Sequence, residues 1–455
     1  MAKRQDLLLE SEQEKKDATG LASLAESPSR WVRNQILTRP IIDGADGSPR
    51  ADLAVALLLA AARVNKKFDS GEMLRPDELS PGVIDAACYD LLVSSSYFGS
   101  ATSTDWHYCP DGDDALACYH FTNTCPRCAL RKKFFFMAAR KPHSATIGAQ
   151  NARAIEMFLA LRLKERCPEV QVYSASEPAD LLVVDIAKRR AFLAEVKAAP
   201  LVTLPLATKV DRQSQTNRAG NVSPSPHIKF PLSHFSSDQI AFFLPIMGSD
   251  GDWGYRLIPF EPLGSTKQSD WAYSQIQKNI VERPDNFEDY LFFWSRVFVA
   301  YGKLNRAESG RDPIYAFMNS AGRPDPFPID WPKTAGNVAF QTLSDGKSSV
   351  GMDRTDDLKK ATAQVLFLGV AAKDSKAARG ADDFSVVTGI VSNIHAVRHR
   401  DLYLEPAENV IWTRGHRAGK ASELNPDQPL YNLFDGVITL THSVIRDEWL
   451  YDIFG

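Results

Sequence analysis

Residues 176–198 read SEPADLLVVDIAKRRAFLAEVKA, two apolar runs joined by Lys188, Arg189 and Arg190. On an extended chain, side chains two apart point the same way. Glu195 and Lys197 therefore share one face of the second run, while Ala194, Val196 and Ala198 take the other. An exposed carboxylate–amine pair of this kind contributes little, about 0–1 kcal/mol, so its meaning depends on its surroundings. Asp180 opens the first run, fifteen residues before Glu195, and Pro200 ends the second. Upstream, IGAQNARAIEMFLALRLKER (147–166) predicts a helix in which Ile155, Leu159 and Leu163 recur every fourth residue with Phe158 beside them. The local order is helix, strand, basic turn, strand.

The chain has 455 residues, 44% hydrophobic and 24% charged, with a net charge of −3. That composition is globular and long enough for two or three domains. The small net charge argues against indiscriminate coating of nucleic acid but allows a local basic cleft. MAKRQDLLLESEQEKKD at the start lacks the apolar stretch of a signal peptide, and the run Leu53–Val64 is too short to span a bilayer. A cytoplasmic protein without a membrane segment is expected.

Four of the six cysteines fall in WHYCPDGDDALACYHFTNTCPRC, spaced C-x8-C-x6-C-x2-C. Cys109, Cys118, Cys125 and Cys128 are expected to wrap a structural Zn²⁺, with His107 and His120 as substitute ligands. The alternatives are free thiols or a redox pair at Cys125 and Cys128. Basic residues follow, with Arg127, Arg131, Lys132, Lys133, Arg140, Lys141 and His143 around Phe134, Phe135 and Phe136. They suit phosphate contacts or, equally, a solvated helix face.

Read along the chain, residues 1–105 are expected to be helical, 106–145 to hold the zinc module and basic segment, 146–262 a catalytic α/β core, and 263–455 a further α/β region for recognition or dimerisation. Within the core, 204–231 reads as a long polar loop. Its Lys209, Arg212, Gln213, Gln215, Asn217, Arg218, Asn221, His227 and Lys229 can contact phosphates or base edges. DQIAFFLPIM and WGYRLIPF read as further strands of the same sheet as the 181–198 pair. His395, Arg398, His399, Arg400, Arg414, His416, Arg417 and Lys420 form a second basic set, in which isolated histidines read as surface groups.

The combination of P-A-D before one strand and E-V-K on the next resembles the PD-(D/E)XK nuclease superfamily; Ala179 interrupts the usual Pro-Asp pair. The resemblance implies a mixed central sheet flanked by helices and hydrolysis of phosphodiester bonds with Mg²⁺ as catalytic metal. Asp180 and Glu195 would hold the Mg²⁺, joined by the Val196 carbonyl, and Lys197 would orient the attacking water. Relatives also use a glutamate from the preceding helix, for which Glu156 is the candidate, although an ordinary surface residue is the readier reading there. Asp185 is an alternative acid of opposite strand parity.

Within the superfamily the chain looks most like a type II restriction endonuclease, with a faint likeness to the ApaLI-like subgroup. It has one recognisable chemistry and no Walker, helicase or methyltransferase pattern. That implies double-stranded DNA as substrate, 5′-phosphate ends and a homodimer paired through the N-terminal helices or FEDYLFFWSRVFVAYGKL. The competing readings are a structure-specific repair or recombination nuclease with the same centre, and a zinc-containing DNA-binding protein in which Glu195 and Lys197 are a mere surface pair.

Overall fold

A computed structural model describes residues 23–24, 28–73, 75–76, 78–99, 101, 105–111, 115–122, 124–133, 144–209, 214–216, 222–224, 227–229, 240–302, 313–319, 351–353, 355–373, 384–397, 399–413 and 429–455. The first half holds helices α1 (Pro28–Thr38), α2 (Pro49–Asp69) and α3 (Pro81–Phe98), strands β1 (Asp105–Tyr108) and β2 (Leu116–Tyr119), and helices α4 (Pro126–Leu130) and α5 (Ser144–Arg166). Strands β3 (Val170–Ser174), β4 (Leu181–Asp185), β5 (Arg190–Val196) and β6 (Leu206–Lys209) follow, then the short β7 (Ser214–Thr216), β8 (Val222–Pro224) and β9 (His227–Lys229). Next come β10 (Ala241–Met247), β11 (Trp253–Pro259), α6 (Gln268–Ile276), α7 (Pro284–Gly302) and α8 (Thr355–Ala372). The C-terminal part holds β12 (Ser385–Ser392), α9 (Glu405–Glu408), β13 (Ile411–Trp412), β14 (Tyr431–Asn432), β15 (Gly436–Thr439), β16 (Val444–Ile445) and α10 (Glu448–Phe454).

The protein is mixed α/β, and the chain divides into two compact, discontinuous units. One comprises residues 1–44, 155–198 and 351–455, the other 45–154 and 199–350. This division differs from the four consecutive segments expected from sequence, because elements far apart in the chain pair with one another.

In the first unit the sheet order is β16-β15-β12-β5-β4-β3. Strands β3, β4 and β5 run antiparallel, and β12 lies parallel to β5, with β15 parallel to β12. Every residue of β4 is buried, as expected of a strand with neighbours on both edges and cover on both faces. On one face Leu182, Val184, Ala191, Leu193 and Val386 pack with Trp31 and Val32 of α1 and with Leu368, Ala371 and Ala372 of α8. The other face carries Phe192, which meets Phe454 of α10 edge-on. A parallel pair cannot be joined by a tight turn, and α8 precedes β12 in the return to the sheet. Gly389 and Gly436 face each other across β12 and β15. A Cβ on Gly389 would lie 1.8 Å from the Gly436 carbonyl, so this close approach needs glycine.

The second unit has its own sheet, β11-β10-β6-β2-β1-β9, antiparallel at each pairing. Strands β10 and β11 thus belong here, not to the sheet of β4 and β5 as their apolar runs suggested. The polar stretch 204–231 is likewise not one long loop: β6 pairs with β2 and β10, β7 with β8, and β9 with β1. Helices α2 and α3 start where Ser48 and Ser80 accept hydrogen bonds from Ala51 and Val83, each with proline at the first helical position. Helix α7 buries Phe287, Tyr290, Leu291, Phe293, Trp294 and Val297. Its broad apolar face is therefore core, which removes it as a dimerisation surface. Helix α8 is continuous from Thr355 to Ala372.

Candidate active site and thiolate cluster

Asp180 lies one residue ahead of β4. The ladder pairs Leu182 with Leu193 and Leu181 with Ala194, so one further step sets Asp180 opposite Glu195. The Asp180 amide donates to the Ala194 carbonyl at 3.0 Å, one residue off that ladder, and its carboxylate reaches the Glu195 carboxyl. Its Oδ2 accepts the Val196 amide at 2.9 Å. Glu195, in turn, accepts a hydrogen bond from Lys197 Nζ. The same ammonium reaches the Val196 carbonyl at 3.4 Å. Main-chain bonds to β12 hold Lys197: its amide donates to the Val391 carbonyl at 2.8 Å, and Ser392 Oγ donates to the Lys197 carbonyl at 2.7 Å.

Glu195 and Lys197 are only 12% and 19% exposed in their side chains, unlike a solvated edge pair. Burial, followed by the adjacent Asp180 charge, raises Glu195 to about 7 against the pull of Lys197. Two carboxylates converge with one amine, an arrangement short of positive charge that suits a divalent cation with oxygen ligands. A proton lodged on Glu195 has a measurable consequence. Its folded pKa lies above the ordinary 4.5, so the stability it lends is full below that value and is lost as pH rises through about 7. Between pH 5 and 8, without added divalent ions, wild type is expected to lose up to about 3 kcal/mol more than Glu195→Gln. Urea unfolding of both proteins across that range measures the difference; equal slopes would contradict the burial of this charge.

Asp185 lies at the other end of β4. It is fully buried, and Oδ1 accepts the Lys188 amide at 2.8 Å, closing the hairpin turn in which Arg189 has φ of 52°. The alternative acid is thus a turn-holding residue. Glu156 is 5% exposed, within a stretch of α5 buried from Ala154 to Ala160. The surface reading of Glu156 is thereby overturned. A lone carboxylate inside AIEMFLA was the sequence signal for burial.

The second centre gathers three thiols. Cys125 precedes the short helix α4, Cys128 lies within it, and Cys109 follows β1. The three Sγ atoms lie within 4.8 Å of one another and are buried. Cys109 and Cys128 are 3.5 Å apart. Ligands at 2.3 Å around a tetrahedral zinc stand about 3.8 Å from one another, so this cluster can hold a metal such as zinc. Hydrogen bonds from Cys125 and Cys128 lower Cys109 to about 3, and Arg127 favours the same ionised form. Their hydrogen bonds to Cys109 raise the other two, with burial adding to it.

Cys118 does not join the three. It sits mid-strand on β2, fixed between His107 of β1 and Ala207 of β6, and burial pushes its thiol well up. The substitute ligands bond each other, with His107 Nδ1 2.9 Å from His120 Nε2. His120 Nδ1 donates to the Thr122 carbonyl at 2.6 Å. Arg131 and Lys133 both reach Asp111 at 3.0 Å, so two of the expected phosphate contacts are engaged beside the thiolates. Lys132, between them, is exposed.

Lys209 is exposed at the end of β6, and Gln215 and Lys229 fall on β7 and β9. Arg212, Gln213, Asn217, Arg218, Asn221, the aromatic-basic run 134–143, and Arg398, Arg414, His416, Arg417 and Lys420 lie outside the described residues. Among the described residues no helix is long and apolar enough to cross a membrane. Comparison of the chain with protein-family models, curated proteins and solved structures finds no match.

Proposed function

We propose that the chain is a Mg²⁺-dependent deoxyribonuclease of the PD-(D/E)XK superfamily, acting on double-stranded DNA as a type II restriction endonuclease. One observation carries the reading: Asp180 faces Glu195 across β4 and β5, with the Lys197 ammonium on Glu195. A mixed sheet flanked by helices, with the acids on adjacent strands of a hairpin, is the core that the resemblance implies.

Hydrolysis of a phosphodiester requires charge neutralisation at the phosphate and an oriented water. A divalent ion held by carboxylates supplies the first and makes the water more acidic. Asp180 and Glu195 would provide oxygen ligands to it, joined by the Val196 carbonyl. Lys197 holds the attacking water and balances the negative charge that accumulates as its oxygen meets phosphorus. The bond from phosphorus to the 3′ oxygen breaks, leaving a 5′-phosphate and a 3′-hydroxyl. Glu156 is retained as a buried positioning carboxylate. The thiolate cluster is a structural zinc site, since thiolates select the softer ion and carboxylates the harder one. Lys132, Lys209 and Lys229 are assigned to phosphate contacts.

A single centre cuts one strand, so a double-strand break at a short palindrome calls for two-fold pairing of chains. Light scattering of the specific complex in Ca²⁺, which permits binding without cleavage, is expected to give two chains per duplex. A stable one-chain complex that only nicks its site would overturn the dimer.

A further inference from the structure

His395 was grouped by sequence with surface histidines, yet it is 8% exposed. It follows the end of β12, and its amide donates to Thr441 Oγ1 at 3.0 Å. That bond ties it to the turn after β15, where the His442 amide donates to Thr439 Oγ1 at 2.9 Å and Thr439 Oγ1 donates to the His442 carbonyl at 2.6 Å. Glu408, the last residue of α9, is 5% exposed. Its Oε1 lies 4.0 Å from His395 Nε2. Neither ring nitrogen of His395 makes a hydrogen bond, and neither does Glu408 Oε1. The His442 ring, exposed to solvent, stands edge-on to His395 with centroids 5.1 Å apart.

A separation of 4.0 Å is too long for a hydrogen bond, and buried donors and acceptors are ordinarily satisfied. In tetrahedral coordination at about 2.0–2.2 Å the nitrogen and the carboxylate oxygen stand about 3.4 Å apart, so a small inward turn of either side chain closes the gap onto an ion without a proton. We propose that His395, Glu408 and His442 form a binding site for a divalent transition-metal ion at the carboxyl end of β12 and β15. His395 and Glu408 supply the preset ligands, and rotation of the exposed His442 ring brings the third. Imidazole nitrogen with carboxylate oxygen selects zinc-like ions over Mg²⁺. The site shares no residue with the Glu195 centre or the thiolate cluster, so it stands independently of the nuclease reading.

The experiment is equilibrium dialysis of the full chain against micromolar Zn²⁺, followed by elemental analysis. His395→Ala and Glu408→Gln are each expected to hold one zinc fewer than wild type, with an affinity loss at this site of at least about 100-fold. Cys125→Ser is expected to keep the zinc that these two lose. Circular dichroism identifies any variant that fails to fold, and the near-isosteric Glu408→Gln carries the test if His395→Ala does so. Zinc content unchanged in Glu408→Gln, or loss from wild type of every zinc on substituting Cys125 alone, would overturn the proposal and leave a bridging water between the pair.

Discussion

Glu195→Gln is expected to lower DNA cleavage by roughly a thousandfold or more, about 4 kcal/mol of transition-state stabilisation, while binding in Ca²⁺ stays within about tenfold of wild type. The side chain keeps its shape and still faces Asp180 across the strands, but the anionic oxygen that would hold the cation is gone. Asp180→Asn is expected to act alike, since Asp180 contributes the opposing carboxylate and anchors the Val196 amide at 2.9 Å. Lys197→Met removes the ammonium proposed to position water while the proposed metal ligands stay, so it should slow turnover more than it weakens metal binding. Asp185→Asn separates position from charge. Its carboxylate closes the turn through Lys188, so its loss should cost about 1 kcal/mol of stability and leave turnover unchanged. Single-turnover rates with the specific duplex measure all four; near-normal cleavage by Glu195→Gln would remove Glu195 from the chemistry.

The other large effect concerns the thiolates. Cys125→Ser or Cys128→Ser is expected to abolish zinc binding at the proposed site and to destabilise the second unit by more than about 4 kcal/mol, the range in which loss of a structural metal falls. The metal would link the end of β1 to α4, joining short elements with little apolar surface of their own. Cys118→Ser should retain the zinc, because Cys118 lies on β2 outside the group of three sulfurs. Elemental analysis of dialysed protein, with alkylation of the folded chain, checks both statements. Zinc lost equally from Cys118→Ser would make the site a four-thiolate one.

Much of the first centre was legible because strand geometry is periodic. Two-residue alternation alone puts Glu195 and Lys197 on one face, and the short basic turn implies the hairpin that brings Asp180 opposite. Helix α5 was legible from Ile155, Leu159 and Leu163 for the same reason, with the 3.6-residue period. The sheet membership of β10 and β11 was not, since an apolar run reports burial without naming its partner. In sequence, β2, their sheet mate through β6, lies on the far side of the β4–β5 hairpin. Strands β6 to β9 were hidden because three or four residues are too few to declare a period. The spacing of Cys118 suggested a ligand, but its strand pairs decide where the thiol can point. His395 was misjudged because polarity in the chain stood in for exposure, and the contacts that bury it come from Thr441 and α9.

The most direct test of the central reading is incubation of long unmethylated duplex DNA with the purified chain in Mg²⁺, followed by sequencing of the ends. Cleavage at one recurring short sequence is predicted, with 5′-phosphate ends, dependence on the divalent ion, and loss in Glu195→Gln. DNA left intact under these conditions by a folded, DNA-binding chain, or cut equally well by Glu195→Gln, would contradict the assignment of Asp180, Glu195 and Lys197 as a phosphodiesterase centre.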